Sequence, residues 1–201
     1  TSANWDTAQT VTVTGVDDDI VDGSVTSTIT VAINDGSSDD NFDAVADQTV
    51  SVATTDDDVA GFTIAETEGS TGVDESGSTD LFTVVLNAQP TTDVVLSISS
   101  ADTGEATVTS SLTFTSSNWD TAKTVTVTGV DDNIIDGTQT STITVSIIDG
   151  ISDNAFDAVA DQTVSVTTTD DDVAGFTIAE TEGSTGVDES GSTDIFTIVL
   201  D

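Results

Sequence analysis

Asp170, Asp171 and Asp172 stand side by side, and Asp131, Asp132 and Asp136 form a second bunch within six residues. Carboxylates are the only chemistry the chain offers in quantity. It has 38 acids against one base, Lys123, for a net charge of −37, with no His and no Cys. Adjacent carboxylates repel, and gathering them at one place is costly unless a cation neutralises them. One lysine cannot do so. A hard cation with a preference for oxygen can. Calcium takes about 6–8 oxygen ligands at roughly 2.3–2.6 Å and tolerates irregular geometry. Zinc and copper call for His or Cys, which are absent.

Other chemistries fare poorly. Serine nucleophiles lack a histidine base, and Lys123 lies in a patterned strand. Paired carboxylates hydrolyse glycosides only beside a groove, usually with aromatic platforms, and aromatics are 4% of this chain. The acidity repels nucleic acid and anionic membrane surfaces. No apolar run approaches the roughly 18–20 residues of a membrane span. Not every acid is a candidate ligand. Asp35-Gly36, Asp149-Gly150 and Asp43 suit ordinary turns. Glu66, Glu68, Glu180 and Glu182 read as solvated. Salt adaptation is a competing account of the acidity, and it predicts acids scattered over exposed strand faces. Those faces carry Thr and Ser instead.

The elements that position these acids recur with a period of 114 residues, since Asn4-Trp5-Asp6 returns as Asn118-Trp119-Asp120. Laying residues 1–87 over 115–201 gives 15 mismatches. A match of this kind marks a tandem array of one domain. Residues 59–172 are expected to form one complete repeat. Residues 1–58 read as the C-terminal part of one copy and 173–201 as the N-terminal part of the next. The two flanks together are short of a domain, so they are not expected to complete each other. A 114-residue period is long enough for its own core. Without cysteine, stability must come from that core or from bound metal. No Asn-x-Ser/Thr sequon is present.

Within the complete repeat, Thr124–Thr128, Thr142–Ile147 and Thr163–Thr167 alternate strictly between apolar and hydroxyl residues. Phe82, Val84 and Leu86 share a face, as do Val94, Leu96 and Ile98. Leu112 pairs with Phe114, and Phe62 with Ile64. Period-2 alternation rich in β-branched residues predicts strands with one buried face. About seven strands result, separated by turns such as Asp136-Gly137, with no helical period. The expected fold is all-β: tandem antiparallel β-sandwiches of immunoglobulin-like size. Trp119 is expected to plug the core edge.

The stretch Val127–Gly137, followed by Val164–Asp172, resembles the Calx-β domain, as does the opening Gly61-Phe62-Thr63-Ile64 with Glu75 in the first loop. The resemblance covers the whole period. In the calcium-binding members of that family, ligands come from the first-loop acid, a mid-domain Asp, the Asp-Asp run and the terminal triplet. The resemblance therefore implies Glu75, Asp102, Asp131, Asp132, Asp136, Asp170, Asp171 and Asp172 as calcium ligands, with two or more ions per repeat. In the flanking copies the matching positions are Asp17, Asp18, Asp22, Asp56, Asp57, Asp58 and Glu189. Asn133 departs from the other copy, which has Asp19. Near-identical repeats of this kind also resemble the extenders of giant bacterial surface adhesins and extracellular fibres.

The expected function is thus structural and non-enzymatic. The repeat is read as a calcium-stiffened, secreted cell-surface module of a fibre or adhesin stalk. Its partners would be neighbouring repeats and other copies in a fibre. A repeated glycan- or protein-binding module acting through avidity is the alternative. A calcium-independent sandwich that is merely acidic is the third reading.

Overall fold

Alternating strands with one apolar face must bury that face against another sheet. The chain does this in its central part. The structure is a computed structural model that describes residues 3–200. Nine strands lie between residues 62 and 169. They are β3 (Phe62–Glu66), β4 (Thr71–Asp74), β5 (Thr79–Leu86), β6 (Val94–Ser100), β7 (Ala106–Val108), β8 (Ser111–Phe114), β9 (Lys123–Gly129), β10 (Gln139–Ile147) and β11 (Gln162–Thr169). One sheet has the order β4-β11-β10-β6-β8 and the other β3-β5-β9-β7. Their inner faces meet in one core, led by Phe82, Phe114, Phe156, Leu96 and Ile143. The alternation expected from sequence is the alternation found: Val164, Val166 and Thr168 of β11 are buried, and Thr163, Ser165 and Thr167 face water. Trp119 is half-buried against the core, and its carbonyl accepts from the Leu86 N–H at 3.2 Å.

Two short strands exceed the expected seven, β4 and β7. The pairing is also not wholly antiparallel, because β4 runs parallel to β11 with Thr169 opposite Asp74. The cause is local. The chain leaves β3 in one sheet and enters β4 of the other. It crosses over at Glu68 and Gly69, both at positive φ (59° and 84°). Gly69 takes that conformation at little cost, and Glu68 is a non-glycine exception.

On the N-terminal side, β1 (Val25–Val31) pairs with β2 (Gln48–Thr54). On the C-terminal side, β12 (Phe176–Glu180) pairs with β13 (Phe196–Leu200). Each reproduces the register of its equivalent in the sandwich. Val31 opposes Gln48 as Val145 opposes Gln162, and Phe176 opposes Leu200 as Phe62 opposes Leu86. Most of their apolar residues are exposed, among them Val50, Phe176 and Ile198. Among the described residues no helix is long and apolar enough to cross a membrane.

Candidate metal centre

Four strand ends converge at one end of the sandwich. They are the C-terminal ends of β4, β9 and β11 and the start of β7. Because Thr169 opposes Asp74, the next residues, Asp170 and Glu75, are brought together, and the Glu75 N–H donates to the Thr169 carbonyl at 3.1 Å. The Val130 N–H donates to the Glu105 carbonyl at 2.9 Å, which ties the start of β7 to the loop after β9. Gly129 closes the approach. A Cβ there would lie 1.9 Å from the carbonyl oxygen of Asp74, so only glycine lets β9 pass so near β4.

This convergence assembles two groups of carboxylates, each with ligand atoms within 4.8 Å of one another: Glu75 with Glu105 and Asp136, and Glu75 with Asp132 and Asp172. Glu75 is 1% exposed and Glu105 8%. Neither has a cationic neighbour. Glu75 Oε2, Glu105 Oε2 and Asp172 Oδ2 are buried and lack any hydrogen-bond partner. Burial raises the pKa of Glu75, and Asp170, Asp132, Glu105 and Asp136 push it further up. Glu105 is raised by burial and then by Asp136, Asp102, Asp132 and Asp170. Asp172 is raised by burial, then by Asp170 and Asp171. Buried carboxylate oxygens are normally satisfied, and leaving one unmade costs more than an ordinary hydrogen bond gains.

Asp170 has a different task. Its Oδ2 accepts from the Gly137 N–H at 2.7 Å and its Oδ1 from the Asp172 N–H at 2.8 Å. These bonds hold its carboxyl below the ordinary range. They also clamp the Asp136-Gly137 turn to the end of β11, which aims Asp136 and Asp172 at Glu75. Asp132 is braced by accepting from the Ile134 N–H at 2.6 Å.

The sequence-predicted residues therefore divide. Glu75, Asp132, Asp136 and Asp172 come together, and Asp170 positions them. Asp131 and Asp171 are exposed and stand outside both groups. Asp102 is exposed too. Its carboxylate accepts from Gly104 N–H at 3.0 Å and its carbonyl from Ala106 N–H at 3.2 Å, so it shapes the turn that delivers Glu105. Glu105 itself was absent from the ligands inferred from sequence. Its one signal there is a carboxylate abutting the apolar start of a short strand, Ala106.

In the N-terminal segment, Asp17, Asp18, Asp22, Asp56, Asp57 and Asp58 line one hollow with Val16 and Thr54. The clamp recurs, with Asp56 accepting from the N–H groups of Asp22 (3.0 Å), Gly23 (2.6 Å) and Asp58 (2.8 Å). Glu189 is exposed, in a loop where the Asp188 N–H donates to Ser192 Oγ at 2.7 Å, as Asp74 N–H does to Ser78 Oγ.

An all-oxygen set of five carboxylates, three of them buried or half-buried with an unpartnered oxygen, fits a hard, oxygen-preferring divalent cation. It does not fit zinc or copper, whose preferred ligands are absent.

No family model and no curated protein sequence matches the chain. Solved structures do. The E. coli chaperone DraB aligns with a TM-score of 0.41 and 10% identity, over 59% of each chain. The apo-form Calx CBD1 domain aligns with a TM-score of 0.40 and 16% identity, over 55% of this chain and 98% of that one. Domains 4 and 5 of the S-layer protein SbsC give 0.40 and 21%, over 72% of this chain and 58% of that one. This chain thus spans under two thirds of the DraB and SbsC chains. Calx CBD domains are among the structures it is similar to, at low identity.

Proposed function

We propose that the chain is a tandem array of β-sandwich repeats, divided at 1–58, 59–172 and 173–201. Each complete repeat holds calcium at the end from which it joins the next. The array serves as a non-catalytic structural module of an extracellular bacterial fibre or adhesin stalk, stiffened by that calcium. Its partners are neighbouring repeats and other copies in the fibre. The observation that carries the reading is the Glu75–Glu105 pair. Two buried carboxylates without a cationic partner are a liability for a domain with no ligand and an asset for one that binds a cation. Glu75, Glu105, Asp132, Asp136 and Asp172 would hold the metal, with Asp131, Asp171 and Asp102 nearer the solvent side. Bound calcium supplies charge neutralisation and cross-links loops that otherwise repel.

Position supports the stiffening role. Asp172 is followed by Val173, Ala174 and Gly175 before β12 begins at Phe176, too few residues for a flexible tether. In a cytosol low in calcium the unneutralised acids would keep the repeats loose until export. Titration calorimetry of the 201-residue chain tests the reading. Saturable calcium binding, lost in Glu75→Gln and poorly reproduced by magnesium, is expected. Heats no larger than dilution would remove calcium from the account.

A further inference from the structure

The loop Asp17–Gly23 and the loop Asp131–Gly137 are the same motif in two settings. In the second, Ile134 and Ile135 are 61% and 53% exposed, an apolar pair standing in an acidic loop. In the first, their equivalents Ile20 and Val21 are both half-buried. What covers them is the sandwich that follows. Ile20 forms a parallel bridge with Gln89, and the Gln89 N–H donates to the Asp19 carbonyl at 2.6 Å. Val21 faces Ala60, Ala155, Ala158 and Val159 across one hollow. Residues 173–201 match 59–87 and hold no equivalent of Gln89 or Val159.

We infer that the Ile134–Ile135 pair is a docking face whose occupant is a second copy of the repeat. That copy would be seated through its equivalents of Gln89 and of the Ala155–Val159 turn. The chemistry suits such a partner. Both surfaces belong to a strongly acidic chain, so contact must come from apolar side chains and backbone hydrogen bonds rather than ion pairs. The side-chain change from Asp19 to Asn133 is immaterial, because position 19 contributes its carbonyl. The pair also sits within the clamped loop. Gly137, two residues on, has its N–H held by the Asp170 carboxylate, as Asp22 and Gly23 after Ile20–Val21 have theirs held by Asp56. Anything that fixes that loop therefore fixes the docking face. The inference rests on the tandem-array reading, but its contacts do not require calcium.

The chain has no cysteine, so single thiols report on the face without interference. Ile20→Cys with Gln89→Cys in the 201-residue chain is expected to form a disulfide on mild oxidation. Ile134→Cys is expected to alkylate freely in that chain. It should react on the order of tenfold more slowly, as for any contact worth about 1.4 kcal/mol, when a copy of residues 88–172 is appended to complete the sandwich begun by 173–201. Failure of the disulfide together with unchanged alkylation would overturn docking. Cross-linking and protection that persist in chelator uphold docking even if calorimetry rejects calcium. Their absence in a chain that binds calcium rejects docking alone. Protection of Ile134→Cys by an unrelated protein but not by the appended copy would also overturn it.

Discussion

The carboxylates of Glu75 and Glu105 approach within 4.8 Å in a buried setting, and each keeps one oxygen with no hydrogen-bond partner. Thirty residues separate them in sequence, and neither belongs to an aspartate run. They are joined only because β7 begins where β4 ends. The pair makes the metal-free domain pH-sensitive in a definite direction. Glu75 and Glu105 have folded pKa values above the ordinary 4.5, and Asp172 above 3.8. A raised acid binds its proton more tightly when folded. It therefore stabilises the fold at pH below the unfolded pKa, and that stability is lost as pH rises through the folded value. Asp170 and Asp153 are depressed and act oppositely, losing stability as pH falls below 3.8. In chelator, thermal stability should peak near the ordinary carboxylate pKa and decline above it. Calcium should abolish the decline. Melting curves from pH 3 to 8, with and without calcium, check this.

Gly129 should tolerate no side chain. Gly129→Ala would drive a methyl into the Asp74 backbone, an overpacking cost of about 1–3 kcal/mol or more, and would displace Glu75. The equivalent Gly15 has nothing within 4 Å of its virtual Cβ, so Gly15→Ala is expected to leave stability unchanged. Denaturant melts of the two variants provide a matched comparison.

The ligand groups predict an order of effects that sequence alone does not. Asp132→Ala and Glu105→Ala should weaken calcium binding strongly. Asp171→Ala should weaken it less, since Asp171 is exposed and outside both groups. Asp149→Ala, at a 3-10 turn on the other side of β10, should have no effect. Calorimetry on the four variants reads the order, and equal affinity for Asp132→Ala and Asp149→Ala would refute the assignment.

Asp153 is a structural acid. It accepts from the N–H and hydroxyl of Thr91, from Thr92 N–H and from Ala155 N–H, all at 2.7–3.0 Å. Asp153→Ala should cost about 2–4 kcal/mol by stranding those donors, with calcium affinity intact. Its exposed equivalent Asp39 accepts from the backbone and side-chain N–H groups of Asn41, and Asp39→Ala should have little effect. Chemical denaturation separates the two.

Much of this architecture was legible in the residues. Strict alternation in Thr142–Ile147 and Thr163–Thr167 specified which side chains are buried, because a strand's period admits one answer once one face is apolar. Of the acids named from sequence, Glu75, Asp132, Asp136 and Asp172 are the ones the fold brings near one another. The rest was not, for physical reasons. β4 and β7 have four and three residues, too short for alternation to stand out. The parallel pairing of β4 with β11 depends on a crossover at Glu68-Gly69 that local propensity does not announce. Glu105 became a candidate ligand only when the fold buried it. Asp170 looks like a ligand in sequence; in the structure its Oδ2 accepts from the Gly137 N–H and its Oδ1 from the Asp172 N–H, bonds that no local pattern announces.

The most direct test is the melting temperature of the 201-residue chain in calcium and in excess chelator, beside Glu75→Gln/Glu105→Gln. A ligand that binds only the folded state at a hundredfold excess over its Kd stabilises by about 2.7 kcal/mol. The account predicts a large rise with calcium in the parent chain. The double variant should show almost none, and its melting temperature in chelator should exceed the parent's because the buried charges are gone. Equal melting temperatures for the parent chain in calcium and in chelator would contradict it.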